Sequence, residues 1–237
     1  MPTKKEQQFL DSFQQFEKIL KESTNSSDQT NFRDALNKIV EKNIYVSKNR
    51  GLIEDLYALR NVFAHRERGK YVASISKVAI AQLNKITKAI QNPPKIKDKF
   101  GVKVFQAKVE DSILTVMQEM HEHTYTHIPV WEIDKIIGVF SYTSFFHWLL
   151  EAQINQGSEK VTFNKKFIGD ISRKYLNAPA VNFQFIEENC STYEIPAIFE
   201  AHTKNNNRLD CLLITKNGKK HEKITGIITA WDLGRIL

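Results

Sequence analysis

An internal repeat in the C-terminal part of the chain constrains its fold more than any other feature of the sequence. Hydrophobic periodicity in residues 96–153 predicts a strand, a helix, two strands and a second helix, and the same order returns in residues 165–237. When the halves are aligned, the stretch from Gly138 to Phe145 falls over the stretch from Gly226 to Leu233. The sequence therefore predicts two consecutive βαββα units.

Local signals define the elements of the second unit. Pro196 is tolerated only in the first turn of a helix, so a helix is expected to begin near Glu194, with Ser191 and Glu194 as a candidate capping box. The Asn217–Gly218 pair predicts a hairpin turn between two strands. Residues 230–237 are predicted to form the final helix.

Each unit contains a turn that leads from an apolar strand into a helix, and in the second unit this turn carries Thr229 and Asp232. Such a turn presents a hydroxyl and free helix N–H groups to an anion. A carboxylate three residues further on can pair with the two hydroxyls of a ribose. This combination is typical of a nucleotide site. The alternative is an ordinary turn in which Thr229 or Asp232 only caps the last helix.

Residues 1–92 predict a helical bundle in front of the repeat. Apolar residues at three- and four-residue spacing indicate helices over residues 4–22, 51–66 and 74–91, and a further one that carries Phe32 and Val40. The last helix is expected to bury Val78, Leu83, Ile86 and Ile90 and to end before Pro93. Four helices with short connections imply a bundle.

The positive charge of the chain is concentrated in this helical part. Residues 1–95 contain 17 Lys/Arg and 10 Asp/Glu, whereas the remaining residues contain 17 of each, so the net charge of +7 lies in the N-terminal part. A basic domain attached to a neutral one suggests a polyanionic partner such as RNA. The alternative is a solvated, lysine-rich helical surface.

The third predicted helix ends in a cluster of Arg60, Asn61 and His65. Asn61 and His65 are four residues apart and share a helical face, and Arg60 flanks that face. These side chains are what metal-free RNA cleavage needs, since a histidine moves protons and an arginine offsets the charge that builds on the phosphorane. A second copy of the helix would complete the site across a dimer. The expected phosphate contacts nearby are Lys48, Arg50, Arg66, Arg68 and Lys70. The alternative is that His65 and Arg66 only interact with the dipole at a helix C-terminus.

The segment from Leu59 to His65 resembles the signature of HEPN domains, an all-helical family in which Arg-Asn, three residues and then His mark many ribonuclease toxins. The resemblance covers about residues 1–92 and implies that two protomers place their Arg and His residues in a composite cleft. One HEPN subset carries a modified Tyr two residues after the His. Because Glu67 stands at that position, the resemblance does not extend to the subset with a modified Tyr.

The C-terminal repeat is similar to a tandem pair of cystathionine-β-synthase (CBS) domains. Gly226–Leu233 matches the family motif of Gly, two apolar residues, Thr, two further residues and Asp. The resemblance implies two adenosine-nucleotide clefts, one of which would use Thr229 and Asp232, with Trp231 between them, for phosphate and ribose. It also implies that the segment Pro179-Ala180-Val181 lines the adenine.

The first repeat departs from this motif at the carboxylate. Ser141 and Thr143 stand at the positions of Thr229 and Trp231, and Ser144 replaces Asp232. Loss of charge-assisted bonds to the ribose costs about 1.5–3 kcal/mol. We therefore expect one good site and one weaker site, an adenine nucleotide (AMP, ADP, ATP or S-adenosylmethionine, not distinguished) as regulatory ligand, and no metal.

Other residues are expected to have structural roles. His121, Glu122, His123 and His127 are spaced like metal ligands, but they lie where a helix turns into a strand and are expected to be solvated. Trp131, Trp148 and Trp231 are expected in the core or in an interface rather than as a stacking platform.

Composition favours a cytoplasmic protein without a membrane partner. No apolar run approaches the roughly 18–20 residues that cross a bilayer, and the N-terminus leads directly into an amphipathic pattern rather than a secretion signal. Cys190 and Cys211 match neither a disulfide framework nor a metal site.

The sequence favours an adenine-nucleotide sensor in which the CBS pair controls a homodimeric HEPN-like domain. That domain would be a metal-independent ribonuclease of toxin or defence type. One alternative is a non-catalytic sensor whose helical domain only dimerises or docks a partner. Another is a CBS pair that serves as a scaffold with both clefts empty.

Overall fold

A computed structural model describes residues 3–64, 74–101, 103–156, 166–171 and 173–236. These residues form helices and two three-stranded sheets. They divide into two compact units: one contains the chain up to Pro94, Ser191–Ile198 and Ile236, and the other contains Lys95–Cys190 and Phe199–Arg235. The mixed helix and sheet composition agrees with the predicted fold class.

The chain up to Pro94 is helical wherever it has regular structure in the described residues. Its helices are α1 (Lys4–Ser23), α2 (Phe32–Val40), α3 (Ile44–Lys48), α4 (Arg50–Ala64) and α5 (Lys77–Gln91). Helices α1, α2, α4 and α5 lie where the sequence predicts them. The five-residue α3 was not predicted, because a helix this short shows no apolar periodicity.

Aromatic side chains form much of the core of this unit. Phe9, Phe13 and Phe16 on α1 are fully buried, because their three- and four-residue spacing puts them on one face of the helix. The Phe32 ring stacks on the Tyr57 ring with the centroids 4.4 Å apart. The buried phenylalanines of α1 are therefore the residues whose helical spacing predicts one apolar face.

One predicted core residue of α5 lies at the surface. Val78 is 67% exposed, whereas Leu83, Ile86 and Ile90 are buried as predicted. Helix α5 begins only at Lys77, with Ser76 as its N-cap, so Val78 lies in the first turn. Ile80, two residues further on, is the first buried residue of the helix.

The first repeat contains a three-stranded sheet, and the central strand of this sheet is the second of the three in sequence. Its elements are α6 (Ile96–Phe100), β1 (Ala107–Lys108), α7 (Ile113–His123), β2 (His127–Glu132), β3 (Lys135–Ser141) and α8 (Tyr142–Gln156). Strand β2 pairs in parallel with β1 and antiparallel with β3. After the short α6, the order of elements is the predicted one.

The second repeat has the same sheet topology. Its strands and helix are β4 (Phe183–Glu187), α9 (Ile195–Lys204), β5 (Cys211–Thr215) and β6 (Ile224–Thr229), with 3₁₀ turns at Ile168–Asp170, Arg173–Tyr175, Thr192–Glu194 and Ala230–Arg235. Strand β5 pairs in parallel with β4 and antiparallel with β6. The order of strands in the two sheets is therefore the same.

Two local predictions for the second repeat were wrong. The Ser191 hydroxyl accepts a hydrogen bond from the Tyr193 N–H at 3.1 Å, so it caps a 3₁₀ turn instead of forming a capping box with Glu194. The predicted final helix is the six-residue 3₁₀ helix Ala230–Arg235. A segment of this length gains too few i→i+4 bonds to favour the α-helix. Helix α9 does begin next to Glu194, with Pro196 in its first turn as predicted.

The residue register confirms the alignment of the two repeats. In the first sheet Gly138 lies opposite Val130, and in the second Gly226 lies opposite Ile214. A β-bulge directly follows that partner in both sheets. The two strand-to-helix turns therefore begin from equivalent positions.

Candidate functional site

The turn that follows β6 is held by the carboxylate of Asp232. One oxygen of this carboxylate, Oδ2, accepts hydrogen bonds from the Thr229 N–H at 2.9 Å and from the Thr229 hydroxyl at 3.0 Å. The other oxygen, Oδ1, accepts a hydrogen bond from Arg235 Nη1 at 3.2 Å. Asp232 thus caps the turn, and its partly exposed side chain also borders a cleft.

This cleft has a volume of about 500 Å³, within the usual range for small-molecule sites. It lies between the turn after β6, the end of α6 and the segment that joins α7 to β2. Its lining residues are Lys99, Phe100, His123, Thr124, Tyr125, Thr126, His127, Ile227, Thr229, Trp231, Asp232 and Arg235. Lys99 and Arg235 bring two permanent positive charges, and Asp232 brings one negative charge. The lining therefore suits a ligand that carries both an anionic group and hydroxyl donors.

Two aromatic surfaces border the cleft. The Trp231 side chain is 86% exposed, so it does not lie in the core, and its place in an interface stays a prediction. On the other side, the His123 ring stacks on the Tyr125 ring at a centroid distance of 5.2 Å. Flat, exposed rings offer faces on which a planar base can stack. Trp148 is buried as predicted.

His127 lies partly buried in the lining of the cleft, and its pKa is shifted. Burial lowers the pKa of the imidazole; the nearby Asp210 carboxylate opposes this shift, and Arg208 adds to it. Its Nδ1 lies 2.8 Å from the Thr126 hydroxyl. Burial therefore disfavours the charged form of His127.

The equivalent turn after β3 is closed. The Ser141 N–H donates to Ser144 Oγ at 3.1 Å, the Ser144 N–H donates to Ser141 Oγ at 3.2 Å, and the two hydroxyl oxygens lie 3.2 Å apart. Both serines are buried, and Thr143 is exposed at the position of Trp231. At the predicted weaker site both serines are thus buried and hydrogen-bonded to each other.

Each turn is approached by the segment that precedes the sheet of the other repeat. A Cβ atom at Gly226 would collide with the backbone oxygen of Phe100, which precedes the first sheet. A Cβ atom at Gly138 would lie 2.6 Å from Cβ of Leu176, which precedes the second sheet. The Val139 N–H also donates to the Leu176 oxygen at 2.8 Å. The cleft beside Asp232 is therefore completed by residues that precede the first sheet.

The segment Pro179-Ala180-Val181 is not among the residues that line this cleft. Val181 is buried in a cluster with Val139 of the first repeat, and Pro179 is exposed. The structure does not bring these residues to Thr229 and Asp232, and their contact with adenine stays a prediction. The sequence analysis missed Lys99 and His127 as lining residues, because the approach of their segments to the turn after β6 cannot be seen from the repeat alone. It also missed Arg235, although its i, i+3 spacing from Asp232 is a local signal.

The predicted catalytic cluster is only partly described. At the end of α4, Arg60 Nη1 donates to Asn61 Oδ1 at 3.0 Å, and both residues are partly buried. His65 lies outside the described residues, as do the predicted RNA contacts Arg66, Arg68 and Lys70. Lys48 and Arg50 are exposed, and Arg50 forms an ion pair with Glu54 at 2.9 Å.

Neither a metal site nor a membrane span is found in the described part of the chain. No group of three or more His, Cys, Asp and Glu side chains there is arranged to hold a metal ion. His123 instead lies 3.6 Å from Glu119 on the same helix. None of the described helices is both long and apolar enough to cross a bilayer.

Comparison with known proteins identifies one family within the repeat. Residues 102–151 match the family model of the CBS domain. No curated protein matched the chain at a significant level.

Solved structures of CBS proteins resemble this chain at low identity. The CBS domain pair of protein MJ0100, in complex with 5'-methylthioadenosine and S-adenosyl-L-methionine, is 19% identical, with 61% of this chain and 95% of that chain covered and a TM-score of 0.38. A CBS-domain containing protein from Agrobacterium tumefaciens is 18% identical, with 60% and 89% covered and a TM-score of 0.39. CBSX2 in complex with AMP is 16% identical, with 60% and 93% covered and a TM-score of 0.40.

The family match covers the first repeat only. The second repeat has the same strand order, the same register and a glycine opposite the same bulge. Together these observations support a pair of CBS domains in the C-terminal part of the chain.

Proposed function

We propose that the cleft beside Thr229 and Asp232 binds an adenine nucleotide, and that the CBS pair acts as a nucleotide sensor. The observation that carries this proposal is the contrast between the two turns. The turn after β6 borders a cleft of about 500 Å³ that contains a carboxylate and two cations, whereas the serines of the turn after β3 are buried.

In this proposal, each group that lines the cleft contacts a different part of the nucleotide. Asp232 Oδ1 accepts only the Arg235 hydrogen bond that the structure shows, so it has capacity left to accept from a ribose hydroxyl. Lys99 and Arg235 would pair with a phosphate, as charge-assisted hydrogen bonds are the strong ones. Trp231 and the His123–Tyr125 pair offer faces for the adenine ring.

Calorimetric titration with AMP, ADP, ATP and S-adenosylmethionine tests this function. Wild type should bind at least one of them. Asp232→Asn keeps an oxygen for the Thr229 hydrogen bonds but removes the charge, so affinity should fall by about 10- to 100-fold, as expected for bonds to a charged group.

Ser144→Ala is the matched control, because it changes the equivalent position of the other turn and should leave this affinity unchanged. A thermal melt of each variant separates loss of binding from loss of fold. If no ligand binds to wild type, the nucleotide-sensor proposal fails.

A second candidate function is metal-independent RNA cleavage by the helical domain of a homodimer, of HEPN toxin or defence type. The partly buried Arg60–Asn61 hydrogen bond and the positive charge of residues 1–95 favour it. In this proposal His65 is the general acid and base, Arg60 stabilises the phosphorane charge and Asn61 positions the other two. A nucleotide could regulate cleavage only if it binds one dimer arrangement better than another.

An RNA-cleavage assay in the presence of EDTA tests this second function. Wild type should cleave, and His65→Ala should abolish cleavage. Lys88→Ala on α5 removes a positive charge from the same domain and should preserve most activity. Equal cleavage by wild type and His65→Ala would exclude the assignment and leave the non-catalytic sensor, whose helical domain only dimerises or docks a partner.

A further inference from the structure

A second cleft in the unit that contains both sheets is bordered by two hairpins. It has a volume of about 420 Å³, and its lining includes Lys108, Trp131, Ile133, Asp134, His221 and Lys223. Ile133 and Asp134 connect β2 to β3, and His221 and Lys223 lie between β5 and β6. This cleft shares no described lining residue with the cleft beside Asp232. We call it the hairpin pocket.

Lysines without ion pairs surround the hairpin pocket. Four of the eight residues from Lys216 to Lys223 are lysines, and Glu222 is the one acidic residue among them, whereas residues 96–237 as a whole carry equal numbers of both charges. The four lysines and Lys108 are exposed, and none of them forms an ion pair within the described part of the chain. The pocket therefore lies in a local positive field that favours an anionic ligand.

Glu222 leaves these lysines without a carboxylate partner because it holds the turn between β5 and β6. Its carboxylate accepts hydrogen bonds from the Asn217 N–H at 2.7 Å, from Asn217 Nδ2 at 2.5 Å and from the Lys219 N–H at 3.4 Å. The bonds from Asn217 contribute most to lowering the pKa of this carboxyl to about 2. These bonds involve backbone and amide groups, so the lysine ammonium groups can pair with a ligand.

The other side chains of the lining suit the uncharged part of such a ligand. Trp131 is partly exposed, and its only polar side-chain atom, Nε1, is buried, so the exposed part of this side chain is carbon. An aromatic ring can pack against the C–H face of a sugar, which buries apolar surface of both. Gln106 and Asp134 add oxygens that accept hydrogen bonds from hydroxyl groups. A phosphate, an apolar face and hydroxyl groups occur together in a phosphorylated sugar.

The turn between β2 and β3 has a strained conformation at the edge of the pocket. Ile133 has a φ of 56°, in the left-handed region, and is 90% exposed. A β-branched residue rarely adopts this conformation, and residues held in it are concentrated at functional sites. Asp134 follows it, and its carboxylate would repel a long polyanion or an anionic membrane that lay across the pocket. A compact ligand can instead turn its hydroxyl groups towards this carboxylate.

We propose that the hairpin pocket binds a phosphorylated sugar, either free or as part of a nucleotide. Lys108 and Lys223 pair with the phosphate through charge-assisted hydrogen bonds. Trp131 packs on the sugar ring, and Asp134 accepts hydrogen bonds from its hydroxyl groups. This site does not depend on nucleotide binding beside Asp232.

Calorimetric titration of the full chain with ribose 5-phosphate tests the site in an Asp232→Asn parent, in which the other cleft is weakened. The parent should bind the probe. Lys108→Ala and Lys223→Ala should each lower the affinity by about 10- to 100-fold, as expected for the loss of hydrogen bonds to a charged group. The matched control is Lys216→Ala, which removes the same charge from an exposed position outside the lining and should change the affinity by less than about threefold.

Asp134→Asn separates recognition of the sugar from attraction of the phosphate. The affinity for ribose 5-phosphate should fall by about tenfold, whereas the affinity for inorganic phosphate should not decrease, because the variant removes a negative charge. Displacement of ribose 5-phosphate by AMP would identify a nucleotide as the source of the sugar phosphate, and no displacement would identify the free sugar phosphate.

Thermal melting of each variant confirms the fold, and Lys223→Arg, which keeps the charge, should retain most of the affinity. The proposal is overturned if ribose 5-phosphate does not bind, or if the parent, Lys108→Ala and Lys223→Ala bind it equally well. A single-stranded RNA that binds through these lysines while ribose 5-phosphate does not would also overturn it and would identify the hairpin as a nucleic-acid surface.

Discussion

The turns after β3 and β6 begin at equivalent positions but are held by different groups. In both, the first residue donates its N–H to the side chain three residues further on: Ser141 to Ser144, and Thr229 to Asp232. The two serines satisfy one another inside the protein. Asp232 has a second oxygen, and that oxygen accepts from Arg235 at the rim of the cleft.

This difference explains why the two serines are buried whereas the Asp232 side chain stays partly exposed beside the cleft. A hydroxyl can be buried once it has a donor and an acceptor, and Ser144 has Ser141 and the carbonyl of Val139. A carboxylate must keep either water or a cation, because an unpaired buried charge costs several kcal/mol. The change from Asp to Ser therefore removes a ligand group and also allows the turn to close.

The residues that pair with Ser141 and Thr229 in the neighbouring strands also differ in their exposure. His127 lies opposite Ser141, and Cys211 lies opposite Thr229. His127 reaches the lining of the cleft, whereas Cys211 is fully buried and its thiol pKa is raised by burial. The first repeat thus supplies a partly buried histidine to the cleft, and the second repeat supplies the carboxylate.

The largest effect on the free energy of unfolding is expected when a carboxylate is introduced into the closed turn after β3. Ser144→Asp would place a charge at a position with no exposed surface. The free energy of unfolding should fall by about 3–5 kcal/mol at pH 7. Burial raises the pKa of a carboxyl, so the loss should shrink as the pH falls towards the ordinary value of about 4. Urea denaturation at pH 7 and pH 4.5 measures both effects.

The reverse change in the open turn is the control. Asp232→Ser should lower stability by only about 1 kcal/mol, the usual cost of a weaker cap, because the residue is partly exposed. If Ser144→Asp and Asp232→Ser destabilise equally, burial does not distinguish the turns.

A smaller effect on stability is expected from the two glycines of β3 and β6 that precede the turns. A methyl group at Gly226 would collide with the Phe100 backbone and lie 2.6 Å from Ile214 Cδ1, and one at Gly138 would meet Leu176. Each Gly→Ala change should therefore destabilise the protein by about 1–3 kcal/mol through overpacking.

Gly234→Ala is the matched control for these two variants, since the space that its methyl group would enter is open to a distance of 4 Å. Urea denaturation of the three variants gives the comparison. An unchanged midpoint for Gly226→Ala would contradict the close approach of the Phe100 segment.

Periodicity and repeat alignment were sufficient to predict most elements of the fold. The strand order and the equivalence of Gly138 and Gly226 follow from apolar patterns that the structure confirms at the level of register. The errors concern short or terminal segments. Helix α3 and the 3₁₀ turn at Ala230–Arg235 depend on a few hydrogen bonds rather than on a buried face.

The candidate site was less predictable than the fold. Thr229 and Asp232 could be identified because the groups that hold the turn are close in sequence. Lys99 and His127 reach the cleft only because the chain brings α6 and the start of β2 to the second repeat's turn. No local sequence pattern predicts such a contact between segments that are far apart in the chain.

The smallest expected effect is a pH dependence of the free energy of unfolding that comes from His127, which the first repeat contributes to the cleft. Burial lowers the pKa of His127, with Arg208 adding to the shift and Asp210 opposing it. The unfolded chain, in which a histidine has a pKa of about 6.5, therefore binds the proton more readily than the folded chain. The free energy of unfolding should thus be highest above pH 7 and decrease as the pH falls through 6.5 towards the lower folded value. His127→Gln, which cannot titrate, should show a shallower decrease in urea denaturation between pH 7.5 and 5.5. Equal slopes for the two proteins would mean that the buried imidazole does not couple protonation to folding.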